Sequence, residues 1–185
     1  MNLYSIILVD DEEEVRKSII KQIDWESAGF QVVGDAENGE DALEKIEVLE
    51  PDVVLTDIKM PYMDGLTMAE TIRQLYPSVK IVIFSGFDEF EYAKKAIKLN
   101  VIEYILKPVN VEELTAILKK IKKNLDEEIE QKITRIEHIL KAKYGEMENM
   151  RWHAVKLLEE DREVMNDHPV DLSHIVENSY EKKII

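Results

Sequence analysis

The sequence predicts an α/β fold followed by a purely helical extension, and three observations carry that prediction. Short apolar, β-branched runs recur up to residue 106. Amphipathic stretches of helical period separate them. Beyond Val111 the β signal stops while the helical period continues. The runs occupy residues 4–9, 30–33, 53–56, 80–84 and 101–106. Most are apolar throughout, the pattern of strands covered on both faces of a parallel sheet. Helices are expected near 12–23, 39–49, 65–75, 88–98 and 111–124, with Asn38-Gly39 and Asp64-Gly65 marking the turns into the second and third. Repeated strand–helix units of this kind form one domain with right-handed crossovers.

The extension follows from a different period. Leu114, Leu125, Ile136 and Met147 are spaced by eleven, as are Leu118, Ile129 and Leu140. Eleven residues in three turns keep an apolar stripe nearly straight along a helix. The fifth helix is therefore expected to run on to about residue 144. A second helix should follow over about 146–165, ended by Asn166-Asp167-His168-Pro169, and a short C-terminal segment has room for one more. These readings divide the chain into domains 1–124 and 125–185. A stripe so far from the sheet needs a partner, either a second chain or a fold-back at Gly145.

Composition narrows the function. The 185 residues carry a net charge of −15, 45% hydrophobic content and no cysteine. The hydrophobic content is that of a globular core. The missing cysteine removes disulfides, thiolate nucleophiles and thiolate-bound metals. The acidity argues against a broad footprint on nucleic acid, which needs clustered Lys and Arg. Lys119-Lys120 and Lys122-Lys123 are followed at once by Asp126, Glu127 and Glu128, and read as a solvated helix surface. No apolar run is long enough to span a membrane and no signal segment opens the chain, so a cytoplasmic location is expected.

The residues just past each strand carry the chemistry, because open α/β sheets place their sites beyond the carboxyl ends of the strands. Strand one ends in Asp10-Asp11, strand three in Asp57, strand four in Ser85-Gly86 and strand five in Lys107-Pro108. A lone Asp in such a place is usually a helix cap; all of these on one edge is harder to dismiss. Two carboxylates 4 Å apart repel by about 4 kcal/mol at an effective dielectric near 20. Three therefore need shared protons or a cation, and oxygen-only ligation points to Mg²⁺. A carboxylate beside that ion is prepared to attack phosphorus, with Lys107 and the Ser85 hydroxyl holding phosphoryl oxygens.

The set Ile7-Leu8-Val9-Asp10-Asp11, Thr56-Asp57-Ile58-Lys59-Met60-Pro61 with Asp64-Gly65, Ser85-Gly86 and Tyr104-Ile105-Leu106-Lys107-Pro108 resembles, in order and spacing, the motifs of response-regulator receiver domains over about two thirds of the chain. Ile23-Asp24-Trp25 before Gly29-Phe30, and 85–93 (Ser-Gly-Phe-Asp-Glu-Phe-Glu-Tyr-Ala), are similar to receivers joined to AraC-type DNA-binding domains. The resemblance implies a flavodoxin-like sheet of five parallel strands, order 2-1-3-4-5, flanked by five helices. It implies Asp57 as phosphoacceptor, Mg²⁺ held by Asp10, Asp11, Asp57 and the Lys59 carbonyl, Ser85 and Lys107 on the phosphoryl group, Tyr104 as an aromatic switch, and a cis Lys107–Pro108 bond. It also implies a sensor histidine kinase as phosphodonor.

The resemblance thus implies an acceptor of phosphoryl groups and not a turnover enzyme, with self-catalysed dephosphorylation as the one activity it allows. Haloacid-dehalogenase-like phosphatases place Asp-x-Asp after strand one, whereas here Asp10-Asp11 is followed by Glu12 and the nucleophile candidate Asp57 follows strand three. Phosphorylation is expected to change the face of the fourth helix, fifth strand and fifth helix, and with it the extension, through homodimer pairing there or along the extension. The alternatives are a truncated AraC-type DNA-binding regulator, for which the acidic tail is too short, and a short RNA-binding helical output, for which basic surface is missing. Glu12, Glu13 and Glu14 read as first-turn acids of helix one. Trp25 reads as a core cover at a loop, Phe87, Phe90 and Tyr92 as packing or partner-face residues, and His138, His153, His168 and His174 as scattered surface.

Overall fold

The computed structural model describes residues 3–86, 90–108 and 110–175. Five strands, β1 (Tyr4–Val9), β2 (Phe30–Ala36), β3 (Val53–Thr56), β4 (Lys80–Ser85) and β5 (Glu103–Leu106), form one sheet in the order β2-β1-β3-β4-β5. Every pairing is parallel, as the apolar runs require. Helices α1 (Glu13–Gln22), α2 (Trp25–Ala28), α3 (Gly39–Leu49), α4 (Gly65–Leu75) and α5 (Phe90–Lys98) lie between strands, and α6 (Val111–Tyr144), α7 (Met150–Leu158) and α8 (Arg162–Asp167) follow.

Period-two alternation sends Ile7, Val9, Val54, Ile81 and Ile83 to one face of the sheet. There they form a core with Ala42 and Ile46 of α3, Met68, Ala69 and Ile72 of α4, and Ala96 of α5. The intervening residues Ile6, Leu8, Val53, Leu55, Val82 and Phe84 are also buried, so the central strands are covered on both sides. Two short side chains start the helices that lead away from the site edge. Asn38 Oδ1 accepts from the N–H groups of Glu40 and Asp41, and Asp64 Oδ1 from those of Leu66 and Thr67. Caps of this kind contribute about 1 kcal/mol each.

Several sequence expectations need correction. β2 extends to Ala36: the ladder with β1 shifts register between Ile6 and Ile7, after which Gly34, Asp35 and Ala36 pair with Ile7, Leu8 and Val9. The polar pair hid this part of an edge strand. Trp25 lies in a one-turn helix and not in a loop. Asp24 caps that helix at Ser27 N, Gly29 ends it at φ 92°, and the Trp25 indole donates to Ile20 O at 3.0 Å. Phe87 and the last part of the C-terminal segment lie outside the described residues, as does the Phe90 side chain.

The chain divides into two units, Leu3–Lys122 and a second beginning at Lys123. In the second, α6 ends at Gly145, whose φ of 78° suits glycine and whose N–H donates to Lys141 O. Ile133, Ile136 and Leu140 of α6 form a core with Ala154, Leu157 and Leu158 of α7, Val164 of α8 and Ile175; Ile129 and Met147 pack against it. The fold-back thus covers this part of the stripe, but with two helices where one was expected over 146–165: the chain breaks at Glu160, φ 54°, and Asp161 caps α8. His153 and His168 are not scattered: their rings lie 4.7 Å apart, with Trp152 edge-on to His153 and Tyr144 edge-on to His168.

Candidate functional site

Parallel pairing brings the carboxyl ends of β1, β3, β4 and β5 to one edge. The main chain sets each position in turn: Asp10 N donates to Ala36 O, Asp57 N to Val9 O, and Lys107 N to Ser85 O. Asp10 and Asp57 are 4% and 7% exposed. Each carboxylate has one oxygen fixed by a main-chain N–H, from Glu12 to Asp10 Oδ1 at 2.9 Å and from Ile58 to Asp57 Oδ1 at 2.5 Å. The other oxygens converge on a single ammonium. Lys107 Nζ lies 2.6 Å from Asp10 Oδ2 and 2.8 Å from Asp57 Oδ2. Burial presses Lys107 toward its neutral form, but the hydrogen bonds and charges of Asp10 and Asp57 outweigh it, and its pKa stands above the ordinary lysine value. The ammonium also sits 5.0 Å from the centre of the Phe84 ring.

Asp11 is exposed and turned to a neighbouring cleft of about 530 Å³, which Lys59, Pro61, Asp64, Thr67 and Lys95 also line. Among the described residues no three His, Asp or Glu side chains are gathered closely enough to hold a metal ion by themselves. Ser85 is fully buried at the end of β4, paired in register with Leu106. Tyr104 is half-buried on β5 opposite Ile83 and packs on the core of that face. The Lys107–Pro108 bond is cis.

Arg16 is a site residue the sequence reading missed. It is the buried position of α1, where its Nη1 donates to Asp10 O at 2.5 Å and its Nε to Asp35 Oδ2 at 2.8 Å. The signal was present: Arg16, Ile19, Ile20 and Ile23 share one helix face by spacing, so a charge stands on an apolar stripe.

The loop after β3 is held at both ends. Gly65 N donates to Ile58 O, and a Cβ at Gly65 would fall 1.9 Å from Asp57 O, so only glycine fits there. Further along, Met63 O accepts from Gly39 N. Between these anchors Met63 N donates to Pro61 O at 2.8 Å, closing a three-residue turn around Tyr62 at φ 64°. That conformation costs a bulky residue on the order of 1–3 kcal/mol. Tyr62 is 85% exposed.

A basic and two acidic side chains drawn into one buried point at the carboxyl edge of a 2-1-3-4-5 sheet suit charge-controlled chemistry on a carboxylate, and known proteins share the whole frame. The family model of the response regulator receiver domain matches residues 6–119. The chain belongs to the response regulator receiver family. Among its relatives, the uncharacterized transcriptional regulatory protein YesN of Bacillus subtilis is 44% identical over 119 residues, 64% of this chain and 32% of YesN. The receiver domain of AraT, a response regulator from Geobacillus stearothermophilus, is 38% identical with a TM-score of 0.64, covering 68% of this chain and 98% of that one. A two-component transcriptional regulator AraC from Clostridium phytofermentans is 35% identical with a TM-score of 0.60, over 66% and 96%. The chain spans about a third to a half of the length of the curated relatives it matches. A second family model, the FeoB cytosolic helical domain, matches residues 125–183, outside the receiver. No helix among the described residues is long and apolar enough to cross a membrane.

Proposed function

We propose that this receiver accepts a phosphoryl group on Asp57 from a sensor histidine kinase and passes the change to a transcriptional output. The observation that carries the reading is the convergence of Asp10 Oδ2 and Asp57 Oδ2 on one cationic point, in a chain of the receiver family. The donor set fits Mg²⁺: all its atoms are oxygens, and Mg²⁺ keeps several waters, so it does not require a closed cage of side chains. Asp10, Asp11, Asp57 and the Lys59 carbonyl would hold it, where it would neutralise charge on the transferring group.

An oxygen of Asp57 attacks phosphorus while the bond from phosphorus to the donor's imidazole nitrogen breaks, and the nitrogen leaves with the bonding pair. Lys107, already beside Asp57, follows the new negative charge, and the Ser85 hydroxyl donates to a phosphoryl oxygen. Movement of Ser85 makes room for Tyr104 to turn inward on β5. The output face is that of α5, β5 and α6, where Ile97, Ile102 and Leu106 are exposed. A homodimer through this face is the pairing we favour, because the α6 stripe beyond Ile129 is already covered by α7 and α8. The names of the relatives, transcriptional regulatory proteins, support an output of that kind.

The test is intact-mass measurement after incubation with Mg²⁺ and acetyl phosphate. The protein is expected to gain one phosphoryl group, and Asp57→Asn to gain none. A gain that survives the substitution would place the acceptor elsewhere.

A further inference from the structure

Tyr62 contributes almost nothing to the fold that holds it. The residue is 85% exposed, so it packs no core. Its backbone sits at φ 64° in a tight turn that glycine would occupy without strain. The loop does not slide to relieve it, because Met63 is tied to Gly39 and Gly65 to Ile58. A large aromatic is thus held outward, five residues after the phosphoacceptor. It directly follows Pro61, which lines the cleft shared with Asp11 and Lys59.

We propose that Tyr62 is a specificity-determining contact for the protein phosphodonor, packing on the helix that carries the phosphorylated histidine of a sensor kinase. The inference rests on phosphoryl acceptance by Asp57 and adds the residue that recognises the donor. The occupant follows from the depth of the acceptor. Asp57 is 7% exposed, so a donor histidine on a protein must be lowered onto this edge, and the donor's surface then covers the loop around it. A small donor carries no surface that would cover Tyr62. Tyrosine suits such a rim: it offers a large amphipathic surface and loses only two torsions on ordering.

The experiment separates the two kinds of donor. A panel of purified sensor histidine kinases, autophosphorylated with labelled phosphate, is mixed with the wild-type chain, and the fastest donor is kept. With that kinase Tyr62→Gly is expected to slow transfer by about tenfold, the scale of an aromatic hot spot. Tyr62→Phe should restore the wild-type rate. With acetyl phosphate both variants should stay within about twofold of wild type, a difference too small to mark a lost contact. The thermal midpoint of Tyr62→Gly should equal or exceed that of wild type.

Unchanged kinase transfer in Tyr62→Gly overturns the proposal, as does a matching loss with acetyl phosphate, since the turn would then be shaping the acceptor itself. Failure of every kinase to phosphorylate the wild type also overturns it. A wild-type chain that takes no phosphoryl group on Asp57 from acetyl phosphate overturns instead the reading on which the proposal rests.

Discussion

Lys107 stands between two buried carboxylates and gives the edge its charge balance. Without the ammonium, Asp10 and Asp57 would face each other with no counter-charge. Removing one partner of a buried ionic cluster typically destabilises by about 3–5 kcal/mol. Lys107→Met is therefore expected to lower the urea midpoint in EDTA, and Mg²⁺ should restore more stability to the variant than it adds to wild type; equal metal responses would count against a shared cation position. Gly65→Ala tests the close approach of the loop. Its Cβ would displace the Asp57 carbonyl, so a loss of about 1–3 kcal/mol in denaturant titration is expected, with slower phosphorylation. The acids and Lys107 were legible because they fall directly after apolar strands. The ammonium bridge was not legible, since spacing says which residues share an edge and not which atoms meet. Arg16 escaped for another reason: a charge in a helix is read as surface until its spacing is compared with Ile19 and Ile20.

At the scale of elements, α6 serves two cores. Leu114, Leu118 and Ile121 are buried in the first unit, and Ile133, Ile136 and Leu140 in the second. Leu140→Ala is expected to lower the stability of the second unit by about 2–5 kcal/mol, as large-to-small core changes do. Phosphorylation by acetyl phosphate should continue at the wild-type rate, and a coupled loss would show that the two cores unfold as one. The eleven-residue spacing made the stripe readable. What covers it was not, because Ala154, Leu157 and Leu158 share no pattern with α6 that would favour a fold-back over a second chain. Arg73 joins elements in a way no motif announces. From α4 it donates to Leu99 O and Asn100 O, each at 2.7 Å, and to Val79 O at 3.3 Å, tying the turn after α5 to the start of β4.

For the whole molecule the charge of −15 has two parts, a few acids enclosed at the sheet edge and many on the surface. The basic cluster near residue 120 is engaged within the chain: Lys120 pairs with Glu103 at 2.9 Å, and Lys122 lies over the Tyr4 ring. A chain ending after residue 124 is expected to fold and to take one phosphoryl group from acetyl phosphate, measured by intact mass, since every residue assigned to the site lies before it. The strand order was readable only through the resemblance, because alternation of strands and helices allows several parallel orders.

The ammonium bridge has a consequence for life in the cell. Because Lys107 offsets the charges of Asp10 and Asp57, the wild-type chain is expected to reach its folded state in EDTA, measured by circular dichroism after refolding with and without Mg²⁺. If the proposed Mg²⁺ dependence holds, scarcity of divalent ions is expected to mute phosphoryl acceptance without unfolding the protein, so that acceptance returns when the ions are added back.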